Sequence, residues 1–429
     1  MFEVKDKPLM VERALLVRLT FVKREVDEDI SLLDELEELV RTLGIGVADK
    51  MLAHSRAMHR KYLCGTGKAA EVVEFAKAHE CDCIVLDNEL APSQQREWEE
   101  LAGICVIDRE EVILDIFAQR AQTKEATLQV ELARMQYALP RMARMWGHLD
   151  REGGGGTGGR GMGEQQIEVD RRLARKKIDS IKKELETVRT QRATRRKDRE
   201  KLDMAHGAIV GYTNAGKSTL LNRLSGSDIM AKDMLFATLD TTTRSIEIPD
   251  GQTLLLTDTV GFVRNLPHRL VEAFKATLEE AVLADFLIHV LDASSPEAEK
   301  FFDTTMHVLG ELGAEGKPMI TILNKCDLVE DPQTITNLSE RLKEKSPNLI
   351  VGSAYKDIGM DQLLVACTEI LKDRVQKNTY RIPQSQGQHM NLLHSEAKVT
   401  DTQYEGNDVI ITAIVPVIIA GRLEKFLMK

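Results

Sequence analysis

The sequence predicts a multidomain α/β protein: an N-terminal parallel α/β domain, a long antiparallel helical hairpin, a central domain on a mostly parallel sheet flanked by helices, and a small α+β C-terminal domain. Three observations predict it. Strand-length apolar runs alternate with helical patterns across the first hundred residues. A strand-free helical stretch follows, interrupted by a glycine loop. After it, short apolar strands each deliver a polar motif. A chain of 429 residues exceeds one ordinary core. The expected divisions are 1–110, 111–203, 204–373, and 374–429 as a linker with a small terminal domain.

In the first segment Arg13 to Phe21 reads as a strand, and Leu32, Leu33, Leu36, Leu39 and Val40 recur at helical spacing. Ala69 to Ala78 and Gln94 to Leu101 read as helices, Cys83 to Leu86 and Cys105 to Ile107 as short buried strands. From Glu111 to Leu149, residues Ile113, Ile116, Phe117, Leu128, Leu132 and Met135 keep helical spacing, and Pro140 should break that arm. A second arm, Gln165 to Lys201, puts Ile167, Leu173, Ile178, Ile181, Leu185 and Val188 near one face. Between the arms, eight of the eleven residues 153–163 are glycine. That loop is either a plain linker or a tip whose exposed backbone and Arg160 approach a phosphate chain.

The net charge of −10 is unevenly spread, because Arg171 to Lys201 holds fourteen Lys/Arg against five Asp/Glu. Such an arm suits a docked polyanion or the solvated face of a long helix. The six cysteines fit reduced thiols in the cytoplasm, and Cys81-Asp-Cys83 is poor zinc spacing. Val409 to Ala420, the longest apolar run, is too short to span a bilayer, and Met1 to Met10 does not read as a signal peptide. Arg374 to Gly387 reads as a linker, with strands at Lys398 to Thr402 and Val409 to Val415 beyond it.

The chemistry gathers in the central segment. The strand Ala208-Ile209-Val210 runs into Gly211-Tyr212-Thr213-Asn214-Ala215-Gly216-Lys217-Ser218, and a helix opens with Thr219. This is a phosphate-binding loop in its proper setting. Its N–H groups cradle phosphates, Lys217 reaches the β- and γ-phosphates, and Ser218 ligates Mg2+. Asp258-Thr-Val-Gly261 follows the strand Leu254 to Leu256, so Asp258 can hold the metal through water and the Gly261 N–H can meet the γ-phosphate. The threonine-rich loop Ala237 to Arg244 can close over Mg2+, with Thr242 the expected ligand and Thr241 and Thr243 close competitors. After the strand Met319 to Leu323 comes Asn324-Lys325-Cys326-Asp327. A carboxylate at Asp327 accepts from guanine N1 and N2, which adenine cannot offer; Asn324 holds the loop and the Lys325 stem covers the base. Ser353-Ala354-Tyr355 then places backbone N–H groups near guanine O6. Four motifs in order identify a P-loop GTPase domain that binds GTP and GDP.

Two positions qualify this. Phe262 stands where many GTPases have a glutamine that orients the attacking water, which predicts slow hydrolysis unaided, or a hydrophobic switch. Asn214 is either a K+ ligand beside the phosphates or a loop-stabilising amide.

Beyond the nucleotide motifs the sequence resembles the HflX family of bacterial GTPases over essentially its whole length. The resemblance rests on Lys61-Tyr62-x-x-Gly65-x-Gly67-Lys68, Val106-Ile107-Asp108-Arg109, the run Ile113 to Ala121, the run Leu128 to Ala133, Gly161-x-Gly163-Glu164, Glu168-x-Asp170-Arg171-Arg172, Leu235 to Asp240, and Asp258 to Phe262. It departs from the family at Met162, Gln165 and Thr241. The resemblance implies a cytoplasmic, monomeric protein that binds the 50S subunit and, with GTP, splits stalled or idle 70S ribosomes, notably under heat stress. It also implies that the hairpin and its glycine tip reach rRNA and that the ribosome stimulates hydrolysis. Family members have been linked to ATP at the N-terminal domain, where Gly65-Thr-Gly-Lys68 is either a nucleotide contact or a turn before a helix. The alternative function is a GTP-dependent RNA-binding ribosome assembly factor that splits nothing. ATP-driven RNA remodelling through the first domain is a third.

Overall fold

Alternating strands and helices build the N-terminal portion of the structure, a computed structural model that describes residues 11–21, 26–142, 160–200, 204–226, 235–236, 239–265 and 278–428. The glycine loop at 153–159 and the switch residues Ala237 and Thr238 lie outside them. Side chains are described within the helix 160–200 only from Glu168 to Gln191. The described residues form two compact units: one holds those up to Arg189 together with Leu235, Phe236, Arg264 and Asn265, and the other holds the rest.

In the first unit, β1 (Arg13–Thr20), β2 (Gly46–His54), β3 (Cys83–Leu86) and β4 (Cys105–Asp108) form a parallel sheet in the order β2-β1-β3-β4. Helices α1 (Val26–Thr42), α2 (Thr66–Ala78) and α3 (Pro92–Ala102) make the connections. Strands buried on both faces read as continuous apolar runs, as Cys83 to Leu86 does. Trp98 of α3 is fully buried against this sheet's core and donates from Nε1 to the Tyr62 carbonyl at 3.1 Å. Gly65 caps α2 and Lys68 pairs with Glu71, the arrangement of a turn leading into a helix.

Helix α4 (Arg109–Arg120) starts at Asp108, whose carboxylate accepts the Glu111 N–H at 3.0 Å as an N-cap. Thr123 caps α5 (Lys124–Ala138), which ends before Pro140 as that residue's missing donor requires. The Asp108 carboxylate also accepts from Tyr137 Oη at 3.0 Å, and Arg141 stacks on the Tyr137 ring while donating to the Leu90 carbonyl at 2.7 Å. These contacts pin the end of the first arm to the sheet. The second arm is α6 (Arg160–Glu200), whose Ile181 and Leu185 pack with Leu128 of α5. Ion pairs of Lys177 with Glu131 and of Lys124 with Glu184 fix the two as antiparallel. Arg172, Arg175, Lys176, Lys182, Lys183 and Arg189 occupy its exposed face.

The second unit carries a six-stranded sheet of β5 (Ala205–Gly211), β6 (Thr242–Glu247), β7 (Thr253–Asp258), β8 (Phe286–Asp292), β9 (Met319–Asn324) and β10 (Leu349–Val351), in the order β10-β9-β8-β5-β7-β6. Only the β6–β7 pairing is antiparallel. Helices α7 (Lys217–Leu224), α8 (Ala298–Glu311), α9 (Pro332–Leu342) and α10 (Met360–Leu371) accompany it. A smaller antiparallel sheet follows, β11 (Val375–Pro383), β12 (Lys398–Glu405) and β13 (Asp408–Pro416) in the order β11-β13-β12, with α11 (Gly387–Glu396) and α12 (Val417–Arg422). The expected linker after Arg374 is therefore corrected: Val375–Pro383 is a strand, and its Tyr380 and Ile382 are fully buried in the small domain's core. Its polar alternation hid it. No helix among the described residues is long and apolar enough to cross a membrane.

Candidate nucleotide site

The ends of β5, β7, β9 and β10, all pointing the same way in the sheet, bring the four motifs to one edge. That edge is where open α/β sheets bind ligands, because loops there leave N–H groups and helix N-termini unpaired.

Gly211 leaves β5 at φ +145°, and a Cβ there would meet the Val290 carbonyl oxygen at 2.3 Å, so no other residue fits. Gly216, at φ +95°, caps α7, and a Cβ on it would collide with Asn324 Nδ2 at 2.3 Å. Tyr212 is buried and stacks on Phe301 of α8, with ring centroids 4.0 Å apart. Asn214 is exposed at φ +59°, and Ala215 is buried. Thr213 Oγ1 is buried with no hydrogen-bond partner among the described residues. Lys217 is buried and donates to the Tyr212 carbonyl at 2.7 Å. Burial pushes its ammonium down to about 8, against the opposing pull of the Asp258 carboxylate.

Ser218 Oγ donates to Asp258 Oδ2 at 2.6 Å, so hydroxyl and carboxylate oxygens converge beside the loop. Thr219 follows them on α7, half-buried. Thr242, the register partner of Asp258 across β6 and β7, lies on the same face of the sheet. Thr243 turns to the other face, where its hydroxyl bonds Thr257 Oγ1 at 2.8 Å. The threonine loop expected up to Arg244 thus becomes strand from Thr242 onward.

The segment after Asp258 clasps the phosphate loop. Thr213 N–H donates to the Phe262 carbonyl at 2.8 Å, and Phe262 N–H donates to the Gly211 carbonyl at 3.1 Å. Phe262 is 1% exposed, and a Cβ on Gly261 would lie 2.8 Å from both Lys217 Nζ and Thr213 Cα.

On the base side, Asn324 bridges two loops: Nδ2 donates to the Ala215 carbonyl at 2.8 Å, and Oδ1 accepts the Ala354 N–H at 2.9 Å. Asp327 is exposed on a short turn of helix, Cys326–Leu328. Ser353 and Ala354 are buried and Tyr355 is 78% exposed. Lys325 pairs with Asp292 at 2.7 Å. Asp292 was not among the residues the sequence singled out; its one signal is an acidic residue closing the apolar run Phe286–Leu291.

Residues 31–118 match the family model described as GTP-binding GTPase N-terminal, residues 120–199 the GTP-binding GTPase Middle Region, and residues 206–325 the 50S ribosome-binding GTPase. The chain is 58% identical to the GTPase HflX of Akkermansia muciniphila, over 100% of this chain and 99% of that one. It is 41% identical to the GTPase HflX of Escherichia coli, over 96% of each. A GTP-binding protein of Sulfolobus solfataricus, solved with GDP, is 25% identical, with 84% of this chain and 99% of that one covered; its TM-score of 0.44 adds nothing to the assignment. On full-length identity and on the match of both its N-terminal and middle regions, the chain belongs to the HflX family and is a GTPase.

Proposed function

We propose that this GTPase binds the large ribosomal subunit in the cytoplasm and, with GTP and Mg2+ bound, separates 70S ribosomes, with heat stress as one occasion for it. The family description matched by residues 206–325 supports a ribosomal partner. The cationic face of α6 supports contact with rRNA, since phosphate neutralisation supplies most sequence-independent affinity.

In this reading Gly211 to Thr219 cradle the phosphates and Lys217 offsets the charge that builds on the β–γ bridge. The donor set of Ser218, Asp258 and Thr242 fits a small hard cation, because it offers hydroxyl and carboxylate oxygens on one side of the sheet. Mg2+ bound there would supply further charge stabilisation. Asn324, Lys325, Asp327 and the loop Ser353 to Tyr355 hold the base. Asn214, exposed in the left-handed conformation, is offered as a K+ ligand. Equal turnover in KCl and NaCl at matched ionic strength would remove that assignment.

The observation that carries the proposal is the clasp of Phe262 on Gly211 and Thr213, with Gly261 against Lys217. A γ-phosphate arriving at Lys217 engages the Gly261 N–H and fixes that main chain against the phosphate loop. In this reading GTP orders that segment, and GDP, which lacks the γ-phosphate, does not. Sedimentation of purified 70S ribosomes after incubation with the protein and a non-hydrolysable GTP analogue tests this. Free 50S and 30S peaks are expected, while intact 70S with protein bound would favour an assembly factor without splitting activity.

A further inference from the structure

Asp292 closes β8 and Asn324 closes β9, and the two are register partners. The Ala293 N–H donates to the Asn324 carbonyl at 2.8 Å, tying the strand ends together just before the base-reading loop. Lys325 comes next at φ +60° and ψ 29°, a left-handed conformation that a side-chain-bearing residue keeps only when its surroundings hold it there. Asn324 has both ends of its amide engaged, with Ala215 and Ala354. The Leu328 N–H donates to the Lys325 carbonyl at 3.0 Å, and the side chain is held at its tip, where Nζ lies 2.7 Å from Asp292 Oδ2. That carboxylate is itself fixed, because Oδ1 accepts the Ser294 N–H at 2.9 Å and the Ser294 hydroxyl at 2.6 Å. Each partner is about one-fifth to one-quarter exposed, so the pair is partly shielded from water and salt.

We propose that Asp292, oriented by Ser294, is a positioning residue for guanine binding: it stretches the Lys325 stem between a left-handed backbone and a fixed carboxylate, so that the stem forms one rigid wall of the base site. The inference rests on the assignment of Asn324 to Asp327 as the base loop and deepens it. A mobile Lys325 lets the base leave sooner, so the pair acts on dissociation and on ligands that carry a base.

The test uses the full chain with Mg2+ and two probes, GDP and inorganic tripolyphosphate. Asp292→Ala is expected to weaken GDP about fivefold through faster dissociation, the scale of one partly exposed ion pair, and to leave tripolyphosphate affinity unchanged. Lys325→Met, which keeps the stem and removes the charge, is expected to weaken GDP by a similar factor, with no further loss when Asp292→Ala is added. Asp292→Glu is expected to recover part of the affinity. Unchanged GDP dissociation in Asp292→Ala, an equal loss for tripolyphosphate, or fully additive losses in the double variant would each overturn the proposal. If the wild-type chain bound GDP no better than tripolyphosphate, the base-loop assignment would fall first and this proposal with it, and the wild-type measurement alone tells those cases apart.

Discussion

Glu35 and Arg264 meet across 229 residues of sequence: the Arg264 Nε donates to Glu35 Oε2 at 2.7 Å, and its main-chain N–H donates to Oε1 at 3.3 Å. The same guanidinium donates to the Ser31 carbonyl at 3.0 Å and to the Ser31 hydroxyl at 2.9 Å. Arg109 lies on the other side of Glu35, bonded to its Oε1 and, at 3.0 Å, to the Arg264 carbonyl. Asp87 joins Arg109 at 2.9 Å and pairs with Arg18, which in turn holds Asp29 at 2.7 Å. Three guanidiniums and three carboxylates thus share one buried network in the first unit, and the residue that enters it last is three positions beyond Gly261.

Removing Glu35 takes away the carboxylate shared by two buried cations. Buried pairs gain little over apolar packing, but deleting one partner leaves a charge in a poor solvent, at a cost of about 3–5 kcal/mol. Glu35→Ala is therefore expected to lower the stability of the first unit by about that much. Urea unfolding followed by tryptophan fluorescence reads it, since Trp98 lies in that unit's core. An unchanged midpoint would mean that water already solvates the pair.

Much of the fold was legible because most strands are buried on both faces and so read as apolar runs: Ile84 to Leu86, Ile209 to Val210, Ile320 to Leu323. The strands that escaped are β2, β6, β8 and β11; β8 is central, with His289 interrupting its apolar run, and the other three are edge strands of their sheets. An edge strand packs little apolar surface, and Thr-Thr-Arg-Ser-Ile-Glu or Val-Gln-Lys-Asn-Thr-Tyr looks like loop when no neighbour is visible. The phosphate and base motifs were legible for the opposite reason: their chemistry needs contiguous residues in one loop. Asp292 and Arg264 were not, because each acts through a partner from a distant strand or helix, and a single sequence carries no trace of that pairing.

The clasp makes Gly261 a strict requirement. A methyl group there would lie 2.8 Å from the Thr213 Cα, which is main chain and cannot swing aside as the Lys217 tip can. Gly261→Ala is expected to displace the segment from the phosphate loop. Misplacement by about 1 Å costs about a hundredfold in rate, so single-turnover GTP hydrolysis should fall at least tenfold, roughly, even with a partly relaxed loop. GDP affinity, which depends on the base loop and the P-loop, should change far less. Unaltered hydrolysis would place the γ-phosphate elsewhere.

Asp327 is exposed on its turn, so its carboxylate is open to a ligand. Replacing it by asparagine exchanges an acceptor for an amide that can donate to the extra oxygen of xanthine. Losing two charge-assisted bonds at about 1.5–3 kcal/mol each should weaken GTP by at least about a hundredfold. Asp327→Asn is accordingly expected to prefer XTP in competition binding. Retention of wild-type GTP selectivity would show that this loop does not read the base.

His289 sits in the middle of β8, paired in register with Val210 of the phosphate-loop strand on one side and Thr321 on the other. It is 0% exposed, its ring meets Phe302 edge-on at 5.1 Å, and neither ring nitrogen has a hydrogen-bond partner among the described residues. Burial pushes the imidazole down from its ordinary value to about 3, and the Lys217 ammonium pushes the same way. Between that value and the unfolded pKa of about 6.5 the unfolded chain binds the proton and the folded chain does not, so stability falls as pH drops below 6.5. At pH 5 the loss from this one group is about 2 kcal/mol. His289→Leu, close in volume and without a titrating nitrogen, removes it. Urea unfolding of both proteins at pH 7.5 and pH 5 should therefore show their stability difference moving by about 2 kcal/mol in favour of the variant at the lower pH. Every other titrating group is common to the two chains and cancels in that difference. A gap that stayed constant across the two pH values would mean that the folded protein already gives His289 a proton, through water reaching the ring or a strand that opens before it unfolds.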